Sequence, residues 1–257
     1  MKLYSWNVNG IRAVSAKPEW DWFRNLGGGC IVGLQETKAA REQVEQSHRE
    51  PAGYQAYWLL GQRKGYSGVA VFTAYAPLAV SYELPHSRYQ GEGRLIHLEF
   101  PDFHYMNVYF PNGQQGDERL AYKLGYYDAW LEYAQELRRQ KPIVVCGDFN
   151  TAHKPIDLAR PRENENTSGF LPIERAWLDK LAGCGYVDTL RHVQGDRPDL
   201  YTWWSFRMNA RARNVGWRID YFFVSDELLP KVRDAWIEPE IKGSDHCPIG
   251  LELDITD

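Results

Sequence analysis

Eight short apolar runs, spread over nearly the whole chain, constrain its fold most: Lys2–Val8, Cys30–Gln35, Gly68–Thr73, Leu95–Phe100, Tyr105–Phe110, Ile143–Phe149, Arg218–Ser225 and Cys247–Leu253. They are often apolar on both faces rather than strictly alternating, so they read as strands covered on both sides. Between them, Leu120, Leu124, Tyr127, Leu131 and Ala134 recur at helical spacing, with charge on the other face. Pro172 can open a second helix, where its missing N–H is harmless, with Ile173, Trp177, Leu178 and Leu181 as the apolar stripe. Strands interleaved with helices imply helices packed on sheets, an α/β (α+β) fold. Pattern alone leaves parallel and antiparallel pairing open. No linker, repeat or biased tract divides the chain, and the turn-rich stretch 155–169 is too short for a boundary. A single domain over residues 1–257 is expected.

Composition narrows the class. Hydrophobic residues make up 44% and charged residues 25%, which excludes disordered and fibrous chains. A net charge of −4 excludes a generally basic nucleic-acid binder but leaves room for a locally basic groove. Cys30, Cys146, Cys184 and Cys247 form no CxxC pair, and buried reduced thiols are expected. The opening MKLYSWNVNG lacks the apolar stretch of a signal peptide, and no run is long enough for a membrane span. An intracellular, cytoplasmic protein acting near the nucleoid is expected, with no membrane partner.

Polar residues gather where the apolar runs end. Glu36 follows Ile31-Val-Gly-Leu-Gln, and Asp148 and Asn150 close Ile143-Val-Val-Cys-Gly-Asp-Phe-Asn. Alternation puts Asp148 and Asn150 on one face, and Asn7 and Asn9 on another. Asp220 lies in Arg218-Ile-Asp-Tyr, and Asp245 and His246 precede the last run. Acids at the ends of apolar strands are costly unless hydrated, paired or bound to a cation. Acids from distant segments therefore point to one shared metal site. Singly, each has a plainer reading: Glu36 caps a helix near Thr37–Gln46, and Asp220 pairs with Arg218 or Arg213. In the run before Pro111, Met106, Val108 and Phe110 share an apolar face, so Asn107 and Tyr109 point the other way.

The sequence resembles the exonuclease III type of AP (abasic-site) endonuclease, within the endonuclease/exonuclease/phosphatase superfamily. The resemblance rests on Ser5-Trp-Asn-Val-Asn-Gly-Ile-Arg, Leu34-Gln-Glu-Thr-Lys, Gly65-Tyr-Ser-Gly-Val-Ala, Asn107-Val-Tyr-Phe-Pro-Asn-Gly and Gly147-Asp-Phe-Asn-Thr-Ala-His. It continues through Ser168-Gly-Phe-Leu-Pro-Ile-Glu-Arg, Asn214-Val-Gly-Trp-Arg-Ile-Asp-Tyr and Gly243-Ser-Asp-His-Cys-Pro, in family order over nearly the whole chain. The Gly-Phe-Leu-Pro, Pro-Asn-Gly and Gly-Trp-Arg-Ile-Asp-Tyr blocks are the more specific ones. The match looks closest to archaeal members, some of which also nick DNA at deoxyuridine.

The resemblance implies a four-layer αββα sandwich, with two mixed sheets face to face and helices outside. It implies hydrolysis of the phosphodiester 5′ to an abasic site in duplex DNA, leaving a 3′-hydroxyl, with some 3′ to 5′ exonuclease or 3′-phosphodiesterase activity by a monomer. Oxygen donors without a His/Cys cluster favour Mg2+ or Mn2+ over zinc. By the family match Glu36 is the principal ligand, Asn7 lies beside it, and Asp245 completes or orients the site. Asp148 orients and deprotonates the attacking water with Asn150 beside it, His246 contacts a phosphate oxygen, and Asp220 holds its ring; the residues alone leave His246 open as the base. Tyr109 and Asn112 contact the scissile phosphate.

DNA binding is expected from residues 201–218, which hold Arg207, Arg211, Arg213 and Arg218, no acid and several aromatics. Trp203, Trp217 and Ile219 match the pocket for a flipped-out abasic sugar, and Arg207 is the candidate wedge into the duplex. Asn9 stands where certain relatives carry Asp, and Gln115 where some carry a basic residue. Two other readings stay open: a phosphatase on a small phosphoester, keeping the metal residues without the Trp203/Trp217 pocket, and a non-catalytic DNA-binding module.

Overall fold

The computed structural model describes residues 1–255; positions 256 and 257 of the expected domain lie outside it. The strands are β1 Lys2–Asn7, β2 Cys30–Gln35, β3 Gln55–Leu59, β4 Val69–Thr73, β5 Ala79–Tyr82, β6 Leu95–Glu99, β7 His104–Tyr109, β8 Ile143–Asp148, β9 Tyr186–Asp188, β10 Asp220–Ser225, β11 Val232–Ile237 and β12 Ile249–Leu253. Among the described residues they form two six-stranded sheets, ordered β11-β12-β1-β2-β4-β3 and β5-β6-β7-β8-β10-β9.

Both sheets repeat one pairing pattern. Each has one parallel pair at its centre, β1 with β2 and β7 with β8, flanked on both sides by antiparallel strands. In a parallel pair both C-terminal ends lie at the same sheet edge, and an antiparallel neighbour brings its N-terminal start there. The ends of β1, β2, β7 and β8 and the starts of β10 and β12 thus converge on one rim.

Leu3, Ile31, Val71, Ile96, Val144 and Leu251 fill the space between the sheets. The helices Asp117–Arg138 and Pro172–Gly183 cover the outside of the β7/β8 sheet through Tyr127, Trp130, Trp177 and Leu178. Val14, Trp20 and Phe23, from short helical turns, cover the other sheet. The layers are helix, sheet, sheet, helix, as the resemblance implied. A polar clamp crosses the sandwich just under the rim. Asn107 donates to the Leu34 and Ala70 carbonyls at 3.0 and 2.9 Å, and Gln35 donates to Asn107 Oδ1 at 2.6 Å. Asn107 and Tyr109 do face away from Met106, Val108 and Phe110. At the opposite rim the Met1 ammonium donates to the Leu253 carbonyl at 2.8 Å.

Three sequence readings are corrected. No helix follows Glu36 directly: Glu36 and Lys38 take left-handed φ of 52° and 54°, and the next helical turn is Arg41–Gln43. Ile173 is 55% exposed, and the buried residue of that first turn is Glu174. Asp220 pairs with His246, while Arg218 pairs with Asp157 and Asp188. Cys30, Cys146, Cys184 and Cys247 are all free, with Cys184 only half-buried.

Candidate active site

The site residues sit at or just past the strand ends on the shared rim. Asn7 ends β1, Glu36 follows β2, Tyr109 ends β7, Asp148 ends β8 and Asp220 opens β10. Asp220 is directly opposite Asp148 in register. Just beyond the strands, Asn9, Glu36 and Asn150 have φ of 46°, 52° and 52°. Non-glycine residues seldom take such angles, and where they gather the surroundings must hold them there. Period-two alternation therefore does not apply at Asn9 and Asn150. It is the left-handed turn after β8 that returns the Asn150 backbone N–H to Asp148 Oδ1 at 2.7 Å. Gly147 beside it is obligatory, since a Cβ there would meet the Val108 carbonyl oxygen at 1.9 Å.

Asn7 organises the acids. Its Nδ2 donates to Glu36 Oε1 and to Asp148 Oδ2, both at 2.9 Å, while its Oδ1 accepts from the Asn9 N–H at 3.0 Å. Glu36 also meets Lys38 Nζ at 2.8 Å. Burial raises the Glu36 carboxyl, but Lys38 and the Asn7 amide outweigh this and hold it below the usual range. Asp148 goes the other way. It is buried beside Asp220 and Glu36, and these raise it well above an ordinary carboxyl despite His246.

His246 Nδ1 lies 2.8 Å from Asp220 Oδ2, and its Nε2 faces Asp148 at 3.9 Å. Burial disfavours the imidazolium, yet Asp220, Asp148 and Asp245 overcome that and raise it. Thr202 fixes Asp220 by donating to its Oδ2 at 2.6 Å. Asp245 accepts from Asn9 Nδ2 at 2.9 Å and from Trp203 Nε1 at 3.0 Å. Donor atoms of Glu36, Asp148 and His246 lie within 4.8 Å of one another, close enough to share one cation. Carboxylate oxygens predominate in that set, which suits a hard divalent ion.

Tyr109 is buried with its hydroxyl bonded to Glu36, and burial keeps its pKa far above neutrality, so it remains a donor. Arg94, itself buried, stacks over the Tyr109 ring at 4.7 Å and donates to its carbonyl at 2.9 Å. Asn112 Nδ2 donates to Asn150 Oδ1 at 3.2 Å, joining the two amides.

Beside the acids an open cleft of about 770 Å³ runs on to Trp203, Trp217 and Ile219. Trp203 and Trp217 pair backbone to backbone, with their rings 6.3 Å apart and nearly perpendicular. Ile219, Leu158 and Phe170 pack against them. Arg207 stands exposed on the rim, between Phe206 and Met208, which are 77% and 81% exposed. The sequence reading passed over Lys38, Arg94, Thr202 and Phe170. Phe170 had a signal in the Gly-Phe-Leu-Pro block, whereas a lone Lys or Arg reads as solvated surface.

The Endonuclease/Exonuclease/phosphatase family matches residues 4–246. An exodeoxyribonuclease of Bacillus subtilis is 44% identical over 99% of this chain and 100% of that protein. The DNA repair nuclease APEX1 of Danio rerio is 42% identical over 98% of this chain and 82% of that protein. The chain belongs to the endonuclease/exonuclease/phosphatase family, as an exonuclease III-type AP endonuclease.

Solved structures agree with this family's fold. An AP endonuclease from Archaeoglobus fulgidus superposes with a TM-score of 0.88 at 27% identity, covering 99% of this chain and 100% of the other. The 3′ phosphatase NExo from Neisseria, bound to a product DNA hairpin, gives 0.90 at 26% identity with the same coverages. This AP endonuclease family member is thus a metal-dependent nuclease of DNA repair. No helix among its described residues is long and apolar enough to cross a membrane.

Proposed function

We propose that the chain, acting as one unit over residues 1–257, hydrolyses the phosphodiester 5′ to an abasic site in duplex DNA and leaves a 3′-hydroxyl. The observation that carries this reading is the adjacency of two features in one cleft: the Glu36–Asp148–His246 cluster and the aromatic pocket of Trp203 and Trp217. A small-phosphoester enzyme would need only the first, and a DNA-binding module only the second.

Mg2+, or Mn2+, is the proposed cofactor, with Glu36 as principal ligand, Asn7 beside it and Asp245 completing the set. When bound, a hard divalent ion supplies positive charge to the scissile phosphate and to the leaving oxygen. Asp148 aligns and deprotonates the attacking water, with Asn150 held against it. His246 presents Nε2 to a phosphate oxygen while Asp220 fixes its other nitrogen. The Tyr109 hydroxyl and the Asn112 amide donate to the same phosphate. Trp203, Trp217 and Ile219 receive the extruded sugar, and Arg207 enters the duplex where the nucleotide has left. Extrusion is cheapest for a nucleotide that has already lost its base, and this gives the lesion its preference.

Trimming from the 3′ end, as exonuclease or 3′-phosphodiesterase, and nicking at deoxyuridine belong to the same proposal. The first draws support from the exodeoxyribonuclease relative and from the Neisseria 3′ phosphatase. The protein is proposed to act as a monomer on DNA in the cytoplasm, near the nucleoid. The test uses end-labelled duplexes carrying a tetrahydrofuran abasic analogue, deoxyuridine or no lesion. The expected result is a single cut 5′ to the analogue that disappears with chelator. No cut in any duplex, by folded protein supplied with Mg2+ or Mn2+, would overturn the reading and favour a small phosphoester.

A further inference from the structure

Lys123 and Glu174 form an ion pair at 2.6 Å in which both side chains are wholly out of contact with solvent. They come from the two long helices, Asp117–Arg138 and Pro172–Gly183, which cover the β7/β8 sheet. Burying two charges usually gains little over a well-packed apolar pair of the same volume. Such a pair is informative through what its other hydrogen bonds hold, and here those bonds converge on the cleft.

The three protons of the Lys123 ammonium have three acceptors: Glu174 Oε1, the Asn150 carbonyl at 2.8 Å and Thr151 Oγ1 at 2.8 Å. The Glu174 carboxylate takes three more donors, Ser168 Oγ at 3.0 Å, the Gly169 N–H at 2.6 Å and the Leu171 N–H at 3.1 Å. Segment 168–171 is the wall of the aromatic pocket. Phe170 packs edge-on to Trp217 at 6.4 Å, and the Gly169 carbonyl accepts from the Ala152 N–H at 2.8 Å. Gly169 takes φ of 99°, and a Cβ there would meet both the Asn150 carbonyl and the Trp217 ring at 3.3 Å. The wall has little room to shift without changing the gap between Asn150 and Trp217.

We propose that Glu174, neutralised by Lys123, is a positioning residue that fixes the 168–171 wall and thereby sets the fit of the sugar pocket. Lys123 supplies the charge balance and ties the same carboxylate to the Asn150 end. Neither residue touches DNA; Glu174 acts through Gly169 and Phe170. This inference rests on the pocket reading of Trp203 and Trp217 proposed above.

Two charge-neutral double variants separate positioning from fold support. Lys123→Met with Glu174→Leu removes the pair and every bond to the wall. Lys123→Met with Glu174→Gln removes both charges but leaves an amide oxygen to accept from Gly169 and Leu171. Neither leaves a buried charge unpaired. Fluorescence anisotropy in chelator would give the Kd of a duplex carrying the tetrahydrofuran analogue and of the same duplex undamaged, and thermal melting would run in parallel.

In the Leu double the preference for the damaged duplex should fall at least tenfold while the protein still melts in one cooperative transition. The Gln double should keep it within about threefold of the parent protein. Equal preference in both doubles and the parent would overturn the proposal, and so would equal loss in both. Failure of both doubles to fold would make the pair a folding element and overturn it too. If the parent protein itself shows no preference, the pocket reading fails, and that result is separable because it needs no variant.

Discussion

Arg218 and Asp220 are separated by a single residue, yet they belong to two buried charge clusters of opposite balance. Arg218 meets Asp157 at 2.8 Å and Asp188 at 2.7 Å, and Arg191 reaches the same Asp157 at 2.6 Å. Two acids face two guanidinium groups. Burial alone would raise Asp157, but Arg218 and Arg191 hold it below the ordinary carboxyl range. Two residues further on, the four acids Asp220, Asp148, Glu36 and Asp245 face, among the described residues, just the two basic groups His246 and Lys38. There the same residue type, at Asp148, is pushed upward. A balanced cluster holds the chain together. An unbalanced one is suited to a cation supplied from outside, and such imbalance points to a site rather than a scaffold.

The most severe way to break this contrast is Asp148→Asn. Cleavage of the abasic duplex should fall by about 10³-fold, within the range usual for losing a general base. Stability to urea should change by less than about 1 kcal/mol, because the substitution removes a charge from an overcharged cluster. An unfolding loss as large as the catalytic one would erase the distinction between the clusters.

Arg218→Met tests the other side. It leaves Asp157 and Asp188 short of their main partner, a change that costs about 3–5 kcal/mol in buried pairs. Urea unfolding should show that loss; under about 1 kcal/mol would mean that the balanced cluster does not support the fold.

A smaller effect sharpens the role of acidic neighbours. His246 is raised by three carboxylates, whereas His97, hydrogen-bonded to His104 and Tyr133, is lowered to about 4, first by burial and then by His104. The unfolded chain takes up a proton at His97 below about pH 6.5, and the native one only near its lowered value. Between those values the unfolded state binds more protons, so stability falls as pH falls. His97→Gln should therefore lose about 2 kcal/mol less than the parent between pH 7 and pH 5. Identical losses would show that the His97 ring is not held neutral.

The same physical divide explains what could be read from the sequence. Each of the eight apolar runs is an interior strand, and β3, β5, β9 and β11, which the reading missed, are the four sheet edges. Interior strands are covered on both faces and spell this in side chains. Edge strands are half-wet; β5 carries only Ala79-Val-Ser-Tyr, exposed at both ends. In the cleft, polar residues at strand ends were legible because polarity there is unexpected. Ile173 and Glu174 were not, because helical spacing prefers an isoleucine inward and gives no hint that the neighbouring acid already has four donors. The left-handed turn at Asn9 had a signal in the Asn9-Gly10 pair, but those at Glu36 and Asn150 escaped, since no glycine adjoins them.

The bond between the Met1 ammonium and the Leu253 carbonyl has a topological consequence. It puts the start of β1 beside the end of β12 in the middle of one sheet, at the rim opposite the cleft. At Leu253 the backbone thus comes back to the place where Met1 lies. Joining Met1 directly to the end of β12 and opening fresh ends at an exposed turn would leave the convergence of β1, β2, β7 and β8 untouched. The order in which the chain is written is thus separable from the surface proposed to meet DNA.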